Sequence, residues 1–290
     1  MTAKIIDGVA IAREIRSSIR RRVEELAARY AVKPGLAVIL VGQNAASEVY
    51  VRNKVRACAE VGIHSEVMRF DSDVAEDKLL DCIRRLNASP AIHGILVQLP
   101  LPQRISVPRV LTTISVDKDV DGFHLYNVGG LVIGNTVFPP CTPYGVSKLL
   151  EHENIPVEGR NVTVVGASNI VGKPMALMLM QREATVAICH AKTRELSQYT
   201  ILADILVVAA GHPNLIVPQM VRSGAVVIDV GINRLADGRL VGDVDFAGVK
   251  EKASYITPVP GGVGPMTVTM LLDNTVASAE RAALGLVAAH

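Results

Sequence analysis

The sequence predicts an α/β protein with two domains. Short continuous apolar runs, typical of strands buried on both faces of a parallel sheet, alternate with stretches of helical spacing. The chain has 290 residues, and at roughly 150 residues per domain that length suits two domains. Hydrophobic residues make up 49% of the chain and aromatic residues only 3%, so aliphatic side chains must fill the cores.

The first α/β series occupies about the first hundred residues. Apolar residues recur at helical spacing between residues 9 and 30. Ser47 suits the N-cap of a second helix, and Gly62 suits its end. The predicted elements are a helix at 9–30, a strand at 36–41, a helix from Ser47 to Val61, a strand at 63–70, a helix at 75–87 and a strand at 92–99.

The regular alternation of strand and helix patterns is interrupted after residue 100. Prolines recur there, and residues 118–122 read as a loop. Thr142 and Pro143 predict the N-cap and first position of a helix. The second series has strands at 162–165, 185–189, 205–209 and 226–230, a first helix that begins near Gly172 and a last helix from about Pro265.

These elements place the domain boundary between about Asp121 and Pro140. The first domain then covers residues 1–121 and the second residues 140–264. We expect the final helix, about 265–290, to pack back on the first domain, because the second series is complete without it.

Charge and cysteine content exclude several classes of protein. The net charge of +2 argues against a nucleic-acid-binding surface. No stretch of 18 apolar residues is present, so we expect no membrane span. The N-terminal residues MTAKIIDG include no long apolar segment, so we expect no secretory signal. Cys58, Cys82, Cys141 and Cys189 lack metal-ligand spacing, so we expect buried thiols in a reducing cytoplasm and no metal site.

Residues 164–172, VVGASNIVG, follow a predicted strand and open a helix. In that context Gly166 predicts a phosphate-binding turn, because a glycine lets the backbone approach a pyrophosphate at the helix N-terminus. Ser168 stands where the G-x-G-x-x-G pattern has its second glycine. The alternative is a purely structural strand-to-helix turn.

The next strand ends at Cys189 without the acidic residue that usually binds the ribose of NAD. Lys192 and Arg194 follow instead, and two cations suit the 2′-phosphate of NADP. The alternative is that both are ordinary solvated loop charges. Residues 229–233 follow the fourth strand, at the carboxyl edge where ligands of open α/β sheets bind.

Four polar residues of the first domain are candidates for chemistry. Tyr50 and Lys54 are one helical turn apart and share a face, and the alternative is that this face is ordinary solvated helix surface. Gln98 ends an apolar strand, where it faces a binding site or caps the strand. Asp121 precedes Gly122 in the stretch between the domains, where an Asp-Gly pair commonly forms a turn. In the second domain, the Pro- and Gly-rich stretch 257–265 predicts a rigid loop that a flat ligand can approach.

Together these segments resemble the methylenetetrahydrofolate dehydrogenase/methenyltetrahydrofolate cyclohydrolase family. The blocks that carry the resemblance run in order along the chain: SEVYVRNK at 47–54, VQLPLP at 97–102, KDVDGFH at 118–124, PCTP at 140–143, GASNIVGKP at 166–174, VIDVGINR at 227–234, GDVDF at 242–246 and ITPVPGGVGPMT at 256–267.

The resemblance implies two α/β domains flanking a cleft, the second a Rossmann-like parallel sheet that binds NADP. It implies a cytoplasmic homodimer that acts on folate in one-carbon metabolism and purine biosynthesis. Lys54 would be the acid/base residue and Gln98 its hydrogen-bond partner, while Tyr50 would stack on the folate and Asp121 would hold its pterin. The remaining implied contacts are Pro260, Gly261 and Gly262 with substrate, and Gly166, Ala167, Ser168, Lys192 and Ile232 with NADP.

Three positions depart from the family pattern. Leu125 follows His124 where proline is common, Ala191 stands where many members have serine, and Ala167 stands where some have arginine. The last two leave Lys192 and Arg194 as the candidates for contact with the 2′-phosphate.

Two other interpretations explain part of the sequence. A shikimate-like or amino-acid dehydrogenase would share the second domain, but it would not account for residues 257–265 or for the pairing of Tyr50 with Lys54. A non-catalytic dinucleotide sensor would need the Gly166 turn, but it would not need Lys54, Gln98 and Asp121.

Overall fold

The computed structural model describes residues 2–286, and it divides into two compact units. We call residues 14–141 and 268–286 the three-stranded unit, and residues 2–13 and 142–267 the six-stranded unit, after their parallel sheets. Met1 and residues 287–290, which the predicted first domain and final helix include, lie outside the described residues.

The three-stranded unit contains a parallel sheet in the order β3–β2–β4, with helices before, between and after the strands. Its elements are α1 (Gly8–Tyr30), β2 (Gly35–Val41), α2 (Ala45–Val61), β3 (His64–Phe70), α3 (Glu76–Ala88), β4 (Gly94–Val97), α4 (Val107–Thr113), a 3₁₀ turn (Val116–Lys118) and α5 (Leu125–Ile133). The C-terminal helix α10 (Val263–Ala283) contributes its later turns.

Strand β2 is buried along its whole length, as its continuous apolar run predicts. It pairs with β3 on one side and with β4 on the other. The chain runs from β2 to β3 and then crosses back to β4, so its direction across the sheet reverses at β2. A crevice at the carboxyl ends of β2 and β4 is the place where such a sheet binds ligands.

The start of α2 differs from the prediction. The helix begins at Ala45 with Asn44 as its N-cap, and the Asn44 side chain accepts a hydrogen bond from the Ser47 backbone N–H at 3.0 Å. Ser47 is therefore inside the first turn. The predicted end at Gly62 is confirmed, because Gly62 adopts a left-handed conformation with φ 86°.

The six-stranded unit is a parallel sheet in the order β1–β11–β8–β7–β5–β6, accompanied by a short antiparallel pair, β9–β10. Its elements are β1 (Lys4–Ile5), α6 (Cys141–His152), β5 (Asn161–Val165), α7 (Gly172–Met180), β6 (Thr185–Cys189), α8 (Leu196–Thr200), β7 (Ile205–Val208), a 3₁₀ turn (Pro218–Met220), β8 (Val226–Asp229), β9 (Asn233–Arg234), β10 (Leu240–Val241), α9 (Phe246–Lys250) and β11 (Tyr255–Ile256). The direction of the chain across this sheet reverses at β5, which pairs with β6 on one side and with β7 on the other.

Two details of this unit depart from the sequence analysis. Helix α6 begins at Cys141, so Thr142 is not its cap; the Thr142 hydroxyl instead lies 3.0 Å from that of Thr267. Residues 2–13 belong to this unit although the sequence analysis placed them in the first domain, because β1 pairs in parallel with β11.

The later turns of α10 pack within the three-stranded unit. Arg22 of α1 forms ion pairs with Asp273 and Glu280. The Ser278 hydroxyl lies within hydrogen-bond distance of the backbone carbonyls of His93 (2.6 Å) and Asp117 (2.7 Å). These contacts tie the later turns of α10 to α1, to the residue before β4 and to the 3₁₀ turn.

Candidate active site

Lys54 and Gln98 meet at the carboxyl edge of the three-stranded sheet. Lys54 lies on α2, the helix that leaves β2, and Gln98 is the residue after β4. The Lys54 Nζ donates to Gln98 Oε1 at 3.0 Å, and both side chains are partly buried. Two residues 44 positions apart thus converge at the reversal point of the sheet.

The Gln98 amide is held so that its oxygen faces the lysine. Its Nε2 donates to the Leu99 backbone carbonyl at 2.8 Å, and its backbone N–H donates to the Ile39 carbonyl of β2 at 2.9 Å. Turning the amide over would put two donors face to face. Gln98 is therefore an oriented acceptor for the amine.

Asp121 is a partly buried carboxyl near the same lysine. Burial raises its pKa, and the nearby charge of Lys54 opposes that rise. The thiol of Cys141 lies beside it, and burial followed by the Asp121 charge raises the pKa of this thiol well above its ordinary value. Cys141 is therefore a neutral thiol at physiological pH.

The segment that carries Asp121 is fixed by side chains that the sequence analysis did not single out. Asp119 is buried and accepts hydrogen bonds from the backbone N–H of Phe123 (3.2 Å), the backbone N–H of His124 (2.7 Å) and the Asn127 amide (2.8 Å). Asn274 of α10 donates to the carbonyls of Val120 (2.9 Å) and Pro139 (3.1 Å).

Tyr50 lies one turn before Lys54 on α2, as the spacing predicted. The residue is 40% exposed. An aromatic side chain left partly open one turn from the partly buried Lys54 is available to stack on a flat ligand. Lys54, Gln98, Asp121 and Tyr50 all belong to the three-stranded unit.

The predicted phosphate-binding turn joins β5 to α7 in the six-stranded unit. Gly166 has φ 118°, and a Cβ on it would lie 2.1 Å from the Ala209 carbonyl oxygen. A Cβ on Gly172 would lie 1.9 Å from the Gly166 carbonyl oxygen. Both positions therefore require glycine. Within the described residues, the backbone N–H groups of 167–170 donate no hydrogen bond and are available to an anion.

Ser168 lies in this turn, three residues before Val171, the N-cap of α7. Its hydroxyl accepts hydrogen bonds from the backbone N–H groups of Val171 (3.1 Å) and Gly172 (3.4 Å). This explains why serine suits the position of the second glycine: a short side chain satisfies two donors at the helix start.

The loop after β6 carries Lys192 and Arg194, and both are exposed. The loop is shaped by its neighbours, because the Thr193 hydroxyl accepts from the His190 N–H at 2.8 Å and His190 Nδ1 accepts from the Lys192 N–H at 3.1 Å. Within the described residues neither cation has an ion-pair partner, so both remain available to a phosphate.

Residues 257–262 connect β11 to α10 in the six-stranded unit. The Thr257 hydroxyl accepts from the Asp229 backbone N–H at 2.7 Å, which ties the loop to the end of β8. There is little space for a side chain at Gly262, since a Cβ there would lie 2.6 Å from the Pro258 carbonyl oxygen. Pro260 is exposed and Gly261 partly exposed, so the tip of the loop is open to a ligand.

No helix among residues 2–286 has the length and apolar character needed to cross a membrane. The prediction of buried thiols is confirmed: all four cysteines are free and buried. Over the same residues, no group of His, Cys, Asp or Glu side chains is arranged to hold a metal ion.

Comparison with known proteins decides between the interpretations. Residues 6–121 match the family described as tetrahydrofolate dehydrogenase/cyclohydrolase, catalytic domain, and residues 140–283 match its NAD(P)-binding domain. The chain belongs to the tetrahydrofolate dehydrogenase/cyclohydrolase family. It is therefore an enzyme, and the six-stranded unit carries its NAD(P)-binding segments.

Individual relatives cover almost the whole chain. The bifunctional protein FolD of Nitrosospira multiformis is 60% identical over 97% of this chain and 98% of its own length. The crystal structure of the bifunctional enzyme FolD from Campylobacter jejuni is 50% identical, covers 97% of this chain and 99% of its own and has a TM-score of 0.95. The FolD of Trypanosoma brucei, complexed with NADP and inhibitor, is 39% identical with a TM-score of 0.94 and covers 97% and 99%.

Proposed function

We propose that this protein oxidises 5,10-methylenetetrahydrofolate with NADP and hydrolyses the product to 10-formyltetrahydrofolate. The observation that carries the proposal is the hydrogen bond between Lys54 and Gln98 at the carboxyl edge of the three-stranded sheet, 3.0 Å long and beside Asp121. A partly buried amine with an oriented acceptor and a nearby carboxyl suits proton transfer on a polar heterocycle.

The three-stranded unit binds and orients the folate. The Asp121 carboxyl accepts hydrogen bonds from the pterin nitrogens, and the open ring of Tyr50 stacks on the heterocycle. When bound, NADP would supply the acceptor for the hydride of the one-carbon bridge, which would leave the folate as the 5,10-methenyl cation. For this step the protein supplies alignment of donor and acceptor carbons, which is worth several orders of magnitude in rate.

The second reaction adds water to the methenyl carbon. The new C–O bond forms as the Lys54 amine takes a proton from the water. The bond from this carbon to N5 then breaks, N5 receives a proton from Lys54, and loss of the remaining hydroxyl proton gives the formyl group. One water is consumed and one proton released. Gln98 holds the amine in place throughout.

The six-stranded unit fits a dinucleotide with a 2′-phosphate. The N–H groups of 167–170 suit the pyrophosphate, and Gly166 lets it approach. Lys192 and Arg194 suit the 2′-phosphate, and Ile232, which is 44% exposed, offers an apolar contact for the rest of the cofactor. Ala167 and the loop at Pro260 to Gly262 complete the proposed contacts with cofactor and substrate.

We also infer a homodimer that works in the cytoplasm, binds no nucleic acid and supplies formyl groups for purine biosynthesis. The dimer is supported by the edge of the six-stranded sheet. Strand β6 is the last strand of that sheet, Ile188 on it is 44% exposed, and Leu202 after α8 is 66% exposed. An apolar sheet edge invites pairing with a second copy.

The test is to mix the purified protein with methylenetetrahydrofolate and NADP and to follow NADPH by its absorbance. We expect NADPH to appear together with 10-formyltetrahydrofolate, identified by chromatography. Absence of NADPH formation with a folded protein would refute the dehydrogenase. Persistence of authentic methenyltetrahydrofolate at its uncatalysed rate would refute the cyclohydrolase separately.

A further inference from the structure

Two buried carboxylates lie behind the carboxyl edge of the six-stranded sheet, and the proposed function gives them no role. Asp229 is the last residue of β8 and is 3% exposed; Asp243 follows β10 and is fully buried. A buried carboxylate is costly unless its oxygens are hydrogen-bonded. The groups that satisfy these two therefore indicate what they do.

Asp243 accepts hydrogen bonds from two different loops. Its Oδ2 accepts from the backbone N–H of Ala210 (2.7 Å) and Gly211 (2.8 Å). Its Oδ1 accepts from the His212 N–H (2.9 Å) and the Asn233 side-chain amide (2.8 Å). One carboxylate thus holds three successive N–H groups of the loop after β7 together with the segment after β8.

Asp229 in turn holds Asp243. Its Oδ1 accepts from the backbone N–H groups of Gly231 and Asp243, both at 3.0 Å, and its Oδ2 accepts from that of Val244 at 3.0 Å. A Cβ on Gly242 would lie 1.8 Å from Asp229 Oδ2, so only glycine fits there. The two carboxylates form one connected network.

Both loops held by Asp243 adjoin proposed cofactor contacts. Ala209, next to the N–H groups that Asp243 binds, has its carbonyl against Gly166 of the phosphate-binding turn. Ile232 lies between Gly231, which Asp229 holds, and Asn233, which Asp243 holds. A Cβ on Gly231 would lie 2.3 Å from Asp243 Oδ1, so this backbone rests directly on the carboxylate.

We propose that Asp243 is a positioning residue for NADP: it fixes the loops at 210–212 and 231–233, and thereby the Gly166 turn and Ile232, in the arrangement that binds the cofactor. Asp229 contributes indirectly, because its carboxylate accepts a hydrogen bond from the backbone N–H of Asp243 and so holds Asp243 in place. The inference rests on the proposed function. Because the network lies wholly within the six-stranded unit, it serves NADP binding and not the hydrolytic step.

The decisive variant is Asp243→Asn, which keeps the shape of the side chain but places an NH₂ group against N–H donors. Loss of hydrogen bonds to a charged acceptor should raise the KM for NADP about ten- to a hundred-fold. The kcat at saturating NADP and the hydrolysis of authentic methenyltetrahydrofolate should stay at wild-type values. Asp245→Asn is the matched control: Asp245 caps α9 through the Gly248 N–H, a role that asparagine also fills.

The wild-type assay is read first, so a failure of the proposed function appears as absent NADP reduction by the wild type. With an active wild type, an unchanged KM for NADP in folded Asp243→Asn overturns the inference. So does an equal loss of both activities, which would indicate a merely structural role. If Asp243→Asn does not fold, the Asn233→Ala variant provides the test. It removes one of the four groups that donate hydrogen bonds to the Asp243 carboxylate. The KM for NADP must then rise while the hydrolysis of methenyltetrahydrofolate stays unchanged.

Discussion

At the scale of single residues, the proposed chemistry depends on a few polar side chains and on the groups that hydrogen-bond to them. Lys54 finds its acceptor in Gln98, whose amide is already oriented by Leu99. Asp121 stays protonated to higher pH than an ordinary carboxyl because burial raises its pKa, although Lys54 acts against this. Three predictions belong to this scale.

The first prediction concerns Lys54→Gln. The variant should fold normally and lose the hydrolysis of methenyltetrahydrofolate by about a hundred- to ten-thousand-fold, because glutamine cannot carry the proton. Its dehydrogenase activity should fall less if the amine only transfers protons, and should fall in parallel if the amine also positions the folate. The absorbance of authentic methenyltetrahydrofolate, corrected for uncatalysed hydrolysis, measures the effect.

Arg52→Gln is the matched control, because it replaces an exposed cation on the same helix. It should leave both activities intact. Hydrolysis near the wild-type rate by Lys54→Gln would remove Lys54 from the mechanism, and with it the proposed role of Gln98.

The second prediction concerns Gln98→Glu. A carboxylate 3.0 Å from the amine, in place of a neutral amide, would stabilise the ammonium form, which cannot take a proton from water. Hydrolysis should therefore slow at neutral pH and recover as the pH is raised. The pH profile of methenyltetrahydrofolate hydrolysis shows this directly, and a profile that coincides with the wild type would contradict the contact.

The third prediction concerns Asp229 and stability. Burial, with a contribution from the charge of Asp243, raises the pKa of Asp229 from its ordinary 3.8 to about 6 despite three N–H donors. Well below pH 3.8 the carboxyl is neutral in both folded and unfolded protein, so its stabilising contribution is fully present. That contribution, of roughly 3 kcal/mol, is lost as the pH rises to 6, where the buried group ionises.

Asp229→Asn cannot ionise, so it removes this pH dependence. The quantity to follow is the free energy of unfolding of the variant minus that of the wild type. This difference should increase by up to roughly 3 kcal/mol from pH 4 to pH 7. Any effect of the substitution that does not depend on pH adds a constant and leaves this increase unchanged. Urea unfolding followed by circular dichroism at several pH values measures the difference. A difference that is flat across this range would show that Asp229 does not titrate there.

At the scale of secondary-structure elements, both sheets present ligand groups in the same manner. Each has a strand, β2 or β5, at which the direction of the chain reverses. In each case the segment after that strand carries the proposed binding groups, on α2 in one unit and before α7 in the other. One geometric rule for parallel sheets thus accounts for two sites of different chemistry.

The loop after β6 gives the fourth prediction. Lys192→Ala and Arg194→Ala should each weaken NADP about ten- to a hundred-fold if they bind the 2′-phosphate, since a charge-assisted contact is worth roughly 1.5–3 kcal/mol. The affinity for NAD, which lacks that phosphate, should not change. Steady-state KM values with both cofactors test this, and equal use of NAD and NADP by the wild type would contradict the assignment.

At the scale of the whole molecule, the candidate groups divide between the two units. The proposed acid/base residues lie in the three-stranded unit and the proposed dinucleotide contacts in the six-stranded unit. The six-stranded unit also exposes the apolar edge at β6, on which the dimer prediction rests.

The fifth prediction is a dimer that a charge at this edge disrupts. Light scattering at micromolar concentration should give about twice the chain mass of 30.9 kDa. Leu202→Lys, at a side chain 66% exposed after α8, should shift the mass to that of a monomer, because a lysine is costly in an apolar interface. A monomer mass for the wild type would refute the dimer.

The sequence by itself determined the elements whose signals are local. Helix α1 and strands β2 and β5 follow from periodicity and apolar runs. The end of α2 follows from Gly62 and the start of α7 from Gly172. Local blocks of sequence also carried the resemblance to the family. Strands β1 and β11 were missed because two-residue strands carry no periodicity and exist only through their pairing.

Tertiary structure decided which distant residues share a site. Gln98 is an acceptor for Lys54 only because β4 pairs beside β2, and the two residues are 44 positions apart. Asp243 gathers backbone N–H groups up to 33 residues earlier in the chain. Such contacts leave no periodic signal, since a buried carboxylate and an exposed one look alike in sequence. The physical reason is that parallel strands bring their carboxyl ends to one edge only after the crossover helices have packed.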